Sequence, residues 1–236
     1  GVMSASTGLI QGGEYSTRKE FPWTALIVIK DGEFDSSGAL ISQKHVVTHM
    51  NGVSGRTEDG DNIVFVPNAL DRVKVYFAAL QKSDSSSVFN PSKIVLHPHN
   101  KDIYGNKVAV VTLERSVQFN EFIRPVCLWT FSDDLSVIAS SPIYSVGYGI
   151  DWSGKDSNIK QHMKVKLTDD ATCLRYYSDI STIRYNTKAF CAKGNENETP
   201  CEHDFSLFVK FSEKWYLRGI MIHSYREKTC KLNYPL

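Results

Sequence analysis

An all-β fold is predicted for this chain of 236 residues by three observations. Short runs rich in Val, Ile, Phe and Tyr recur about every ten to fifteen residues between clusters of Gly, Ser, Asn and Asp, the rhythm of a barrel or sandwich. Residues 163–167 alternate apolar Met163, Val165 and Leu167 with Lys164 and Lys166, as a half-buried strand requires. Long amphipathic helical patterning is missing. The length suits the reading, because all-β barrels run to about 200–250 residues as one unit.

The elements follow in order. Apolar runs place strands at 25–29, 45–48, 73–77, 94–97, 108–113, 143–147, 162–167 and 217–222; their β-branched and aromatic side chains fit a pleated surface better than a helix. Residues 206–211 and 215–222 flank Ser212-Glu213-Lys214 and read as a hairpin. A short helix is expected over 168–177, where Thr168, Asp169 and Asp170 can cap the free N–H groups of a first turn. Residues 82–87, Lys-Ser-Asp-Ser-Ser-Ser, read as an exposed loop, and no repeat at a fixed short period is found.

Composition excludes several functions. Lys plus Arg is 27 against 26 Asp plus Glu, a net charge of +1, so no bulk field holds nucleic acid or an anionic membrane. With 42% hydrophobic and 22% charged residues the chain can bury a core and is not a disordered segment. No apolar run approaches the roughly 18 residues of a membrane span. Five cysteines suggest two bridges and one leftover, a pattern that fits an oxidising, extracellular setting. Residues 1–9 lack the charged start and apolar core of a leader peptide, so a mature chain or an internal piece is expected.

Several motifs then occur in a fixed order. Ile10-Gln11-Gly12-Gly13 and Glu20-Phe21-Pro22-Trp23 come first, followed by Ser37-Gly38-Ala39-Leu40-Ile41-Ser42 and His45-Val46-Val47-Thr48. Next are Val108-Ala109-Val110-Val111-Thr112-Leu113, Ile123-Arg124-Pro125-Val126-Cys127-Leu128 and Val146-Gly147-Tyr148-Gly149. The last are Cys173, Phe190-Cys191-Ala192, Cys201 through Asp204, Trp215-Tyr216-Leu217-Arg218-Gly219-Ile220 and Cys230. Together they span residues 10 to about 236, and the set resembles the trypsin-like, chymotrypsin-fold serine protease family.

The resemblance implies a single domain over 1–236 made of two six-stranded antiparallel β-barrels, the first over 10–130 and the second over 131–236, with a cleft between them. It implies bridges Cys173–Cys191 and Cys201–Cys230. The family's bridge beside the catalytic histidine is absent, its positions being Ser36 and Gly52. In the family the cysteine matching Cys230 precedes a closing strand and a C-terminal helix, whereas this sequence stops at Leu236, so a second barrel without those elements is expected. An open edge of that kind needs covering by some other segment.

Acyl transfer in this family uses a serine nucleophile, a histidine base and a buried carboxylate that orients the histidine. The resemblance places Asn51 at the base, Lys107 at the carboxylate and Phe205 at the nucleophile. An amide does not take that proton near neutral pH, the lysine reverses a charge, and a phenyl ring has no nucleophilic atom. His203 stands where a glycine N–H forms half of the oxyanion hole, and loss of one such donor costs about a hundredfold to a thousandfold in rate. Ser206 and Leu207 replace the two glycines after the serine. Thr199 occupies the aspartate position of a trypsin-like specificity pocket, and Ile222, His223 and Ser224 replace the Ser-Trp-Gly that pairs with substrate backbone. Leu9 precedes Ile10, so a cut after a basic residue is not available there; Asp204, which pairs with the freed amine in the family, is expected to find another donor or to sit partly solvated. A displaced triad of His49, Asp102 and Ser206 requires three independent shifts that each keep a reach of about 2.6–3.2 Å.

Other signals are weaker. His97-Pro98-His99 resembles half of a metal site, but no cluster at ligand spacing accompanies it, and no metal or cofactor is expected. Asn197-Glu198-Thr199 satisfies the glycan acceptor rule, with Pro200 directly after it. Cys127 is the leftover thiol. It is either a buried free cysteine or the partner of an upstream segment, as the matching cysteine is in relatives with a light chain or clip domain, and the second is favoured.

The function expected is that of a secreted serine protease homologue, a pseudoenzyme that works by binding proteins as cofactor, scaffold or regulator of an extracellular cascade of the innate-immunity type, most like arthropod clip-domain homologues. Its partners are then cascade proteases or complement-like factors, not nucleic acid or membrane. A salivary or parasite-derived inactive protease that blocks host clotting or complement is the alternative, and an enzyme with a displaced triad ranks last.

Overall fold

The computed structural model describes residues 14–30, 35–59, 62–79, 87–98, 106–148, 159–169, 171–172, 189–194 and 205–221. The strands along these residues are β1 (Glu14–Tyr15), β2 (Thr24–Ile29), β3 (Asp35–Leu40), β4 (His45–His49), β5 (Ser54–Asp59), β6 (Asn62–Pro67), β7 (Val73–Phe77), β8 (Val88–Phe89), β9 (Pro91–Leu96), β10 (Val108–Leu113), β11 (Cys127–Leu128), β12 (Ile143–Gly147), β13 (Gln161–Thr168), β14 (Cys191–Gly194), β15 (Ser206–Phe211) and β16 (Lys214–Ile220). Single 3-10 turns lie at Met50–Gly52, Leu70–Arg72 and Leu135–Ile138, and no long helix occurs among the described residues.

The strands form two large sheets, and the arrangement is that of a chymotrypsin-like double barrel. The first sheet runs β8-β7-β2-β3-β4-β10-β9, antiparallel throughout. It holds six strands of five or six residues plus the two-residue β8, and β9 curls back against β7 to close it nearly into a barrel. The second runs β1-β13-β12-β15-β16-β11, with β14 also on β13. Its short strands come from outside the 131–236 segment: β1 pairs with β13, and β11 pairs with β16 in parallel, an exception to the antiparallel pattern expected. The reason is connectivity, since both segments are crossovers between the sheets and complete backbone hydrogen bonds on whichever edge they pass.

Side-chain periodicity explains the burial. In β10 the buried residues are Ala109, Val111 and Leu113, and in β7 they are Val73, Val75 and Phe77, the two-residue period of a strand with one face inward. In β13 Met163 and Val165 are buried while Lys164 and Lys166 are exposed. The β15–β16 hairpin turns at Ser212-Glu213, tighter than the three-residue loop expected, because Phe211 already pairs with Lys214. Both turn residues have positive φ, 47° and 62°, the type I′ geometry that matches strand twist.

One apolar cluster fills the first sheet and reaches Val146, Phe208 and Leu217 of the second, which also holds a further cluster of its own, and aromatic rings pack where the two sheets meet. Phe21 lies 5.6 Å from Tyr144, 5.5 Å from Trp215 and 6.3 Å from Phe208, ring centroid to centroid. Its φ of 49° is a left-handed conformation that costs a bulky residue roughly 1–2 kcal/mol, and this ring packing holds it there. The start of the expected 168–177 helix is present as a cap, with the Asp169 carboxylate accepting from the Thr172 N–H at 2.8 Å; the rest of that segment lies outside the described residues.

The β5–β6 hairpin was not anticipated. Asp59 pairs with Asn62, while Gly60 and Asp61 between them lie outside the described residues; a glycine there is a turn signal that the acidic composition of 58–61 obscured.

Candidate functional site

The cleft positions converge through β3, β4 and β10. Strand β4 ends at His49, whose Nδ1 accepts from the Asn51 N–H at 3.3 Å and caps the 3-10 turn that carries Asn51. The Met50 N–H donates to the Lys107 carbonyl at 2.8 Å, and Val108 pairs with His49. Asn51 and Lys107, to which the resemblance gives the base and carboxylate positions, therefore lie at adjoining ends of the β4–β10 ladder. What stands there is an amide and a buried ammonium side chain, Lys107 being 5% exposed. The Asn51 Oδ1 is buried and makes no hydrogen bond.

Gly52 closes this turn onto β3. A Cβ at Gly52 would overlap the Ser36 Cβ and Oγ, while the Ser36 hydroxyl is within 3.2 Å of the Thr48 Oγ1. A disulfide holds its Cβ atoms about 3.8 Å apart, so the two segments sit closer than a bridge at these positions permits. The missing bridge is replaced by direct contact between a glycine and a small polar side chain.

The third position is a packing position. Phe205 is 1% exposed and belongs to the second apolar cluster with Ile138, Met163 and Val165; its carbonyl accepts from the Met221 N–H at 2.9 Å. A Cβ at Gly147 would come within 2.8 Å of the ring and 2.7 Å of the Ser37 Oγ, so the ring lies against bare backbone. That Ser37 Oγ accepts from the Tyr148 N–H at 2.9 Å, and the Tyr148 hydroxyl donates to the Ala79 carbonyl at 2.6 Å. Strand β3 thus links all three positions: Ser36 meets the turn of Asn51, and Ser37 meets the strand end beneath Phe205. Of the displaced candidates, His49 and Ser206 are each 1% exposed, and Asp102 lies outside the described residues.

Two cysteines are visible. Cys191 is disulfide-bonded, and Cys173, expected as its partner, lies outside the described residues. Cys127 is a free, exposed thiol on β11, which removes the buried alternative. Cys201, Cys230, Asn197, Thr199, His203, Asp204, Ile222, His223 and Ser224 also lie outside the described residues. No group of three metal-ligating side chains occurs among the described residues, and no described helix is long and apolar enough to cross a membrane.

The second sheet carries a charged cluster that motif reading missed. Lys160 is 2% exposed and donates its Nζ to the Glu20 carbonyl at 2.7 Å; burial pushes its pKa from 10.5 down to about 8, with Glu20 opposing. The Thr17 N–H donates to the Glu20 carboxylate at 2.8 Å and holds that carboxyl below its usual range. The available signal was the polar run Lys160-Gln161-His162, which breaks the apolar–polar alternation that residues 163–167 follow.

Against this geometry, the family model named Trypsin matches residues 10–204. The chain belongs to the trypsin family. It is 25% identical over 230 residues to CLIP domain-containing serine protease B9 of Anopheles gambiae, covering 92% of this chain and 57% of that protein. It is 26% identical over 235 residues to phenoloxidase-activating factor 1 of Holotrichia diomphalia, covering 90% and 62%. With melanization protease 1 of Drosophila melanogaster the identity is 27% over 244 residues, covering 94% and 60%. The chain therefore spans less than two thirds of the length of these curated relatives.

Proposed function

We propose that this trypsin-family chain is a non-catalytic protease homologue that acts by binding proteins in an extracellular protease cascade of arthropod immunity. The observation that carries the reading is Phe205, a fully buried core side chain at the position the resemblance gives to the nucleophile. Asn51 and Lys107 support it, because neither an amide nor a cation does the work of a base or its orienting carboxylate. The names of the relatives, CLIP-domain proteases and a phenoloxidase-activating factor, support the cascade setting and secretion.

Cys127 extends the reading to an upstream segment that pairs with it. In support, the thiol is exposed beside Leu128 and Phe131, which are 50% and 46% exposed, an apolar surface suited to a covering partner. Electrophoresis of the native protein with and without reductant tests this, and one unchanged band rejects it.

Incubation of the native protein with a fluorophosphonate probe tests the loss of catalysis. No covalent adduct is expected, with an active trypsin-like protease as positive control; an adduct on Ser206 or any other serine overturns the proposal. Phe205→Ser is expected to remain unlabelled as well, since the base and the carboxylate are still missing.

A further inference from the structure

We propose that Arg218 binds a carboxylate side chain of the upstream segment that Cys127 bonds, and that this charge pair seats the segment on the aromatic surface beside β11. It rests on the pairing of Cys127 with an upstream segment and adds what holds that segment in place.

Arg218 is the extra residue of a β-bulge. Leu207 pairs with Gly219 and Phe208 with Leu217, so Arg218 has no register partner on β15, and a bulge of this kind re-aims a side chain. The guanidinium goes against rings: its Cζ lies 5.6 Å from the Trp129 centroid and 5.1 Å from that of Phe190. These contacts offset part of the cost of leaving water but supply no acceptor. The Nε is buried and makes no hydrogen bond, and among the described residues Arg218 has no ion-pair partner. Burial holds its pKa below the usual range, and Asp133, the counter-charge that opposes this, does not reverse it. Asp134 caps the Ser136 N–H at 2.9 Å and Glu213 pairs with Lys210 at 2.8 Å, so neither competes for Arg218. A planar fork of donors, partly desolvated and without an acceptor, matches a carboxylate.

The adjoining surface indicates what carries that carboxylate. Trp129 meets Phe131, Phe211 and Tyr216 at 4.9, 5.5 and 5.6 Å between ring centroids, and Phe131 and Leu128 are left exposed. Cys127 is in register with Tyr216, and Arg218 lies two residues further along β16. With strands about 4.8 Å apart and a rise of about 3.3 Å per residue, the backbones at Cys127 and Arg218 are about 8 Å apart. An extended chain covers that distance in about three residues. The segment bonded to Cys127 therefore presents an Asp or Glu within about four residues of its own cysteine, and its apolar side chains cover Phe131 and Leu128.

Peptide mapping of the native protein without reductant identifies the segment bonded to Cys127 and is expected to find that carboxylate. Titration of the full-length protein with dithiothreitol then reads how firmly the segment is seated, because docking raises the effective concentration of its thiol at Cys127. Arg218→Gln is expected to release the Cys127 bridge at about one fifth of the reductant or less, and Arg218→Lys to fall between. Lys214→Gln, at an exposed position on the hairpin, is expected to match wild type. The Cys191 bridge is the internal reference for loosening of the fold. A bonded segment without Asp or Glu in that stretch, an unchanged midpoint in Arg218→Gln, or a shift that Cys191 shares equally overturns the proposal and leaves the Cys127 pairing standing. Cys127 found unbridged, or bridged to a second copy, overturns both.

Discussion

Gly52→Ala isolates the contact that replaces the missing bridge beside the cleft. The added methyl would overlap both the Cβ and the Oγ of Ser36, whereas ordinary contact begins at 3.4 Å, so the two segments must separate by more than about 1 Å. Rotation of the serine does not help, because its Cβ is fixed to the backbone, and Ser36 is fully buried. The glycine is not held in a left-handed conformation, so the cost is steric. Overpacking of a closed core costs about 1–3 kcal/mol, and this geometry belongs at the upper end, about 3 kcal/mol, or a fall in Tm of about 6–12 °C for a chain of this size. Urea denaturation of wild type, Gly52→Ala and the double variant Ser36→Gly/Gly52→Ala measures it. The double variant removes the colliding atoms and is expected to recover at least half of the loss. A single variant within about 0.5 kcal/mol of wild type would refute the close approach, and a double variant no better than the single would place the clash elsewhere.

Three further outcomes follow. Lys160 has a pKa lowered in the folded chain to about 8 from 10.5, so between those values the unfolded state binds the proton and the folded state does not; stability therefore rises with pH across that window, by about 3 kcal/mol in total, and Lys160→Gln removes this part of the slope in denaturation midpoints measured across it. Replacing the positive-φ turn residues by Ser212→Asn/Glu213→Gly suits the type I′ geometry and is expected to raise stability by about 1 kcal/mol, read by thermal melting. Ser37→Ala leaves the Tyr148 N–H without its acceptor at the junction of the two sheets and is expected to cost about 1–3 kcal/mol by urea titration, whereas Ser42→Ala, at the exposed Ser42–His45 contact, is expected to cost under about 0.5 kcal/mol.

Local chemistry by itself determined the strand content. The run at 25–29 and the alternation at 163–167 became β2 and the buried face of β13, because strand side chains repeat every two residues whatever the topology. Motif order likewise pointed to the family the chain belongs to, and the resemblance assigned Asn51, Lys107 and Phe205 to the three catalytic positions. The β5–β6 hairpin was half legible in Gly60 beside the apolar run Ile63-Val64-Phe65-Val66, but its partner strand Ser54–Asp59 is polar throughout and carries no strand signal of its own. Tertiary structure decided what no spacing carries: that the Met50 N–H meets the Lys107 carbonyl, that Phe205 faces a core, and that Cys127 is exposed. It also decided that position 52 must lack a side chain, because Ser36, sixteen positions earlier, fills the space. These are contacts between residues distant along the chain, and packing, burial and desolvation are properties of what surrounds a side chain, not of its neighbours in sequence.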